Sequence, residues 1–241
     1  MTDNELLNRD AEIPARERAI NIPFSVLALI ALCLGVHAIR TYVLALASDN
    51  DVLFYGAFIP LRYAAADTGW TIEAFTSTLT YSFLHGSFSH VFNNTLWLVV
   101  FGSPLARTLG GVKFLMFWAL AAIIAAGFHF ASNMMDVAPM IGASGAVSGM
   151  MGAAARFGFR MNRREGGNAF VPQAPALADA LRNRSVLIFL GVYLVTNFLV
   201  GYSGFTPSGN GANIAWQAHI GGLVAGFFLI PLFLRRRIGG S

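Results

Sequence analysis

Ser144 stands in the run Met140-Ile-Gly-Ala-Ser-Gly-Ala-Val-Ser-Gly149, and His219 in Ala218-His219-Ile-Gly-Gly222-Leu-Val-Ala-Gly226. Each lies near the head of a long apolar segment. A serine hydroxyl is a weak nucleophile until a base within hydrogen-bond reach takes its proton, and an imidazole can do that near neutral pH. Polar side chains are costly in hydrocarbon, so this pair at the heads of apolar segments calls for a reason. The chemistry it points to is acyl-transfer hydrolysis, with the imidazole later protonating the leaving amine.

Acyl transfer also develops a negatively charged oxygen, which needs preorganised donors. His90 and Asn94 are four residues apart, on one helix face, and can point at the same place. Backbone N–H groups at the start of the segment holding Ser144, its own included, can join them. A third, acidic member of the site is hard to find. No Asp or Glu follows Asp179 or lies between Glu73 and Asp136, and Asp49, Asp51, Asp67, Glu73 and Asp136 all fall in connections. A Ser–His dyad is therefore expected, with the imidazole held by packing rather than by a carboxylate.

These residues need elements to position them. Of 241 residues, 56% are hydrophobic and 12% charged. Soluble domains average about 25% charged, so the composition points to an all-α polytopic membrane protein. A helix crossing hydrocarbon needs about 20 residues. Six segments qualify: roughly 24–43, 86–105, 112–131, 141–158, 185–203 and 214–234. The first is too long for a cleaved signal and reads as a retained anchor. Residues 1–22 read as a polar N-terminal tail, and residues 23–238 as one six-helix membrane domain. The connection from about residue 44 to Leu84 is too apolar for a solvated loop and reads as a partly membrane-embedded first loop.

The sixteen Lys and Arg residues set an orientation. Arg9, Arg16 and Arg18, then Arg107 and Lys113, then Arg156, Arg160, Arg163, Arg164, Arg182 and Arg184, then Arg235, Arg236 and Arg237 share one side if there are six crossings. Only Arg40 and Arg62 lie opposite. The positive-inside rule then puts both termini in the cytoplasm. Arg40 reads as snorkelling to the outer interface. Nucleic-acid binding is disfavoured, because each cluster flanks a span and none interleaves with aromatics. With this orientation Ser144, His219, His90 and Asn94 all fall about 5–12 Å below the outer boundary. Gly145-x-x-x-Gly149 with Gly152, and Gly222-x-x-x-Gly226, are small faces that let two helices come close beside the candidate pair.

Together, Gly142-Ala-Ser144-Gly145, Ala218-His219-x-Gly-Gly222-x-x-x-Gly226 and His85-x4-His90-x3-Asn94 resemble the rhomboid intramembrane serine proteases. The resemblance covers roughly residues 23–238. It implies Ser144 as nucleophile, His219 as base, and His90 and Asn94 as oxyanion donors. It also implies a six-transmembrane-helix rhomboid-like bundle with an outward cavity, closed by a mobile loop and span five. Substrates would be single-span transmembrane proteins in a bacterial inner membrane, cut near their outer ends.

Two departures stand out. Many members carry a Trp-Arg pair in the first loop where this chain has Thr76 and Ser77. Some carry a tyrosine four residues after the nucleophile, where this chain has Ser148.

Competing readings are weaker. A metalloprotease would want His-Glu-x-x-His, and no glutamate lies in any span, so neither metal nor cofactor is expected. A transporter would want inverted repeats, and none is evident. A non-proteolytic rhomboid-like binder or chaperone of transmembrane helices has no use for Ser144 with His219. His85 reads as either a loop-binding or a catalytic histidine. His37 and His129 read as structural or interfacial, and Cys33 as a packed thiol.

Overall fold

The computed structural model describes residues 21–64, 71–164, 167–203 and 214–234. The tail up to residue 20, Asp67, and Arg235 to Arg237 lie outside the described residues. Eleven α-helices are described: α1 (Phe24–Tyr42), α2 (Leu46–Gly56), α3 (Leu61–Ala64), α4 (Ile72–Thr80), α5 (Phe88–Trp97), α6 (Ser103–Leu109), α7 (Gly111–Ser132), α8 (Ser144–Arg156), α9 (Leu177–Arg182), α10 (Arg184–Ser203) and α11 (Trp216–Phe233). Four of them, α1, α7, α10 and α11, are long and apolar enough to cross a membrane. At the second expected span, α5 and α6 are joined by a π-helical turn over Leu98–Gly102. Pro104 follows at once. It has no N–H to donate one turn back and its ring crowds that carbonyl, which is a physical reason for the ladder to widen there.

At the fourth expected span, α8 has 13 residues, and every one after Ser144 is buried. A helix surrounded on all sides is a core helix, and its Gly/Ala/Met composition suits close neighbours rather than lipid. On α7 the buried residues Phe114, Phe117, Trp118, Ala121, Ala122, Ala125, Ala126 and His129 make one stripe at helical spacing. Ala121 and Ala125 abut Gly149 and Gly145 of α8. Gly149 of α8 also lies against the Gly222 carbonyl of α11. On α1 the buried face is Val26, Leu29, Cys33 and His37, so the thiol is packed as expected.

The expectation of an all-helical chain needs one amendment. Met161–Arg164 (β1) and Gly167–Phe170 (β2) pair antiparallel, Met161 opposite Phe170, in the connection after α8. Phe170 stacks on Phe157 with ring centroids 4.8 Å apart, tying this hairpin to the end of α8.

Charges gather at that same end. Arg107 donates to the carbonyls of Asn168 and Asn21, Lys113 Nζ donates to Phe233 O at 3.0 Å, and Arg156 donates to Pro175 O. These contacts bring together the ends of α6, α8 and α11 and the start of α1. Arg107, Lys113 and Arg156 thus gather at one end of the bundle. At the other end Arg40 does not snorkel. Its guanidinium grips Asp49 twice, at 2.6 and 3.2 Å, and donates to His85 O at 3.1 Å.

Candidate active site

At their glycines, α8 and α11 meet main chain to main chain. A Cβ added to Gly222 would land on the carbonyl of Gly145, one on Gly226 on that of Gly149, and one on Gly152 on that of Leu223. The two small-residue faces read in the sequence are therefore the faces that meet. Their approach carries Ser144, at the first turn of α8, to His219, in the first turn of α11.

His219 Nε2 lies 2.8 Å from Ser144 Oγ. Its other nitrogen, Nδ1, lies 2.8 Å from Asn197 Oδ1 on α10. Both ring nitrogens are thus occupied, and neither has room for a carboxylate. The expectation that packing alone holds the imidazole is corrected here, since an amide from a third helix does so. Nothing in the sequence flagged Asn197. The available signal was an amide side chain inside an apolar span, which is costly unless partnered.

The start of α8 is fixed by the first loop. Gly142 N–H donates to Tyr81 O at 2.9 Å, and Ala143 N–H donates to His85 Nε2 at 3.3 Å. The donors left at this helix start therefore begin at Ser144. Accepting at Nε2 leaves the His85 proton on Nδ1, 3.3 Å from Phe83 O, and the His85 carbonyl receives His37 Nδ1 and Arg40. Of the two readings of His85, the geometry supports the loop-binding one: it is a strut under the Ser144 turn. Its ring meets that of His90 edge-on, with centroids 5.0 Å apart.

His90 is brought to the serine. Gly142 has φ +123, a backbone region open to glycine, and the point a Cβ would occupy there is 2.7 Å from His90 Nε2 and 3.7 Å from Ser144 Oγ. The His90 ring thus lies over Gly142, beside the serine. Asn94 is buried, and its amide donates one hydrogen to His90 O at 3.0 Å, leaving a second N–H. Ser144, His219 and the His90 ring thus meet at the head of α8, and Asn94 lies one turn along α5 from His90.

Against this geometry stands a family match. The sequence matches the Rhomboid domain family over residues 73–236. The chain belongs to the rhomboid family. With its apolar helices, that makes it a multi-pass membrane protein.

It is similar to rhomboid protease GluP of Bacillus subtilis, 30% identical over 62% of this chain and 24% of the relative. It is also similar to rhomboid protease GlpG of Serratia proteamaculans, 27% identical over 84% of this chain and 60% of the relative. A third, the putative rhomboid protease YdcA of Bacillus subtilis, is 22% identical over 87% of this chain and 90% of the relative. The chain thus spans about a quarter of the first relative and three-fifths of the second.

This rhomboid lacks two features of many family members, and other residues make contacts near those positions. Without the Trp-Arg pair, Arg62 supplies a guanidinium to the first loop, donating to Ala57 O and Ser77 Oγ at 3.2 Å each and to Phe54 O. Tyr63 OH donates to Ala74 O at 2.7 Å beside it. These bonds tie α2, α3 and α4 together. In place of a tyrosine on α8, Ser148 meets the hydroxyl of Tyr193 from α10 at 2.5 Å.

Proposed function

We propose that this rhomboid is an intramembrane serine endopeptidase that cleaves single-span transmembrane proteins near their outer ends. The observation that carries the reading is the 2.8 Å approach of His219 Nε2 to Ser144 Oγ, two residues 75 positions apart. The family membership and the protease-named relatives support it.

In the proposed reaction His219 Nε2 takes the Ser144 proton as Oγ attacks the scissile carbonyl. The oxyanion is received by the free Asn94 N–H, by His90 and by the Ser144 N–H. The imidazolium then protonates the leaving amine, and an acyl-Ser144 ester remains. Water, deprotonated by the same nitrogen, releases the product and restores the hydroxyl. Helices α5 with α6, and α8, complete six crossings in this reading, with residues 1–22 and the C-terminus in the cytoplasm of a bacterium. At 1.5 Å per residue α8 is about 20 Å long, short of the roughly 30 Å of hydrocarbon, which suits a nucleophile recessed from the outer surface.

The test is chemical. Purified chain treated with a fluorophosphonate should be modified at one residue, Ser144, identified by mass spectrometry of its peptides. An intact, detergent-stable sample with no adduct there would overturn the hydrolase reading and favour a helix-binding rhomboid.

Two further outcomes follow. Catalysis needs a bare Nε2, so the rate should fall as the medium is acidified and His219 takes up a proton. A kcat/KM flat from mildly acidic to alkaline pH contradicts a histidine base. Gly142→Ala forces a side chain into positive φ and against the His90 ring. At about 1–3 kcal/mol for such strain, cleavage should drop by roughly 5- to 150-fold.

A further inference from the structure

The hydrogen bonds around His219 determine each other's direction. Asn197 Nδ2 donates to Tyr193 O at 2.9 Å, so Oδ1 is the amide atom that faces His219. The flipped amide would set its oxygen against that carbonyl. An amide oxygen only accepts, so Nδ1 of His219 carries the hydrogen and Nε2 is bare. Nε2 is the atom that faces Ser144 Oγ. The required tautomer is therefore written by one side chain on α10.

A second contact fixes the height of that helix. Ser148 donates to Ser144 O at 2.7 Å, which spends its one hydrogen. Tyr193 must then donate to Ser148 across the 2.5 Å contact. Tyr193 lies one turn before Asn197, so this clasp registers the amide against the imidazole. Elsewhere α10 is the least buried of the four long apolar helices. Its hold on the bundle includes aromatic contacts such as Phe198 with Trp216 and Phe189 with Phe159.

We propose that Asn197 is a positioning residue that sets the tautomer and plane of His219, and that the Tyr193–Ser148 bond registers α10 so that it can. The inference rests on the serine-hydrolase reading. It makes the site a product of three helices, α8, α10 and α11, with the base oriented only while α10 is docked.

The test is the pH dependence of fluorophosphonate acylation of Ser144 in the full chain, for the unmodified protein, Asn197→Leu, Asn197→Asp and Tyr193→Phe. Asn197→Leu should slow acylation by about 10- to 100-fold at every pH with little change in thermal midpoint, as expected for a misaligned base. Asn197→Asp keeps an acceptor for Nδ1–H, so it should restore most of the rate at alkaline pH. Its charge favours the imidazolium, so the acid limb should move to higher pH by about one unit or more.

His90 and His129 also act on His219. Both are present in every variant, so the comparison isolates residue 197. Tyr193→Phe should slow acylation by a smaller factor and leave the acid limb in place. Asn197→Leu reacting at the unmodified rate, or an acid limb unmoved by Asp, overturns the proposal while the hydrolase reading stands. An unmodified chain that takes no label overturns both.

Discussion

Ser144→Ala is expected to abolish cleavage of a model single-span substrate, by a factor on the order of 10³ or more, limited by the assay floor. Members of a nucleophile–base unit fail together. In well-studied serine hydrolases removal of the serine or the histidine alone costs about 10⁶-fold, nearly as much as removing both. His219→Ala should therefore match Ser144→Ala, and the double variant should be no worse than either. The geometry gives the reason: the 2.8 Å bond joins one proton donor to one acceptor, and each is inert without the other. Rates measured with purified protein in liposomes, beside a thermal midpoint for each variant, decide the matter. Additive losses would mean that the two side chains act separately, and the acyl-transfer mechanism would have to be abandoned.

The second large effect lies away from the chemistry. Gly222→Ala puts a methyl group where the Gly145 carbonyl stands. Backbone cannot rotate aside as a side chain can, so α8 and α11 must part. Overpacking of this kind costs about 1–3 kcal/mol, occasionally more. A displacement near 1 Å between serine and imidazole costs about 10²-fold in rate. Loss of both activity and thermal midpoint is expected, and Gly226→Ala, facing the Gly149 carbonyl, should behave alike. Gly127→Ala and Gly191→Ala are the controls, since a Cβ at either meets nothing within 4 Å. Those should be neutral or slightly stabilising, because glycine inside a helix costs roughly 0.5–1 kcal/mol relative to alanine. Equal behaviour of Gly222→Ala and the controls would refute the main-chain contact.

What could be read from the sequence was whatever has a fixed period or a fixed cost. Ser144, His219, His90 and Asn94 can be singled out because polar groups stand out in apolar segments, and the approach of His219 to Ser144 agrees with that reading. The glycine faces were found because their spacing is that of a helix. Arg107, Lys113 and Arg156 could be grouped at one end because charge is kept to the flanks of apolar spans.

Asn197 was missed because its contact with His219 depends on how α10 is rotated and how high it sits, neither of which spacing fixes. Arg62 was missed as the loop anchor because the connection from residue 44 to Leu84 has no single period. The turn at Leu98–Gly102 did have a marker in Gly102-Ser-Pro104, though one easily absorbed into a straight span. The hairpin from Met161 to Phe170 is polar and short, with no alternation to announce two strands.

Main-chain packing between α8 and α11 has a bearing on how such a protein could diversify. Where Gly222 meets the Gly145 carbonyl and Gly226 the Gly149 carbonyl, no side chain stands between the two helices, so neither glycine can be exchanged without parting them. Variation is channelled instead into the exposed faces of α10 and into the loops, where a new side chain meets no neighbouring main chain. The chain thus divides into a chassis that tolerates almost no change and a trim that can drift.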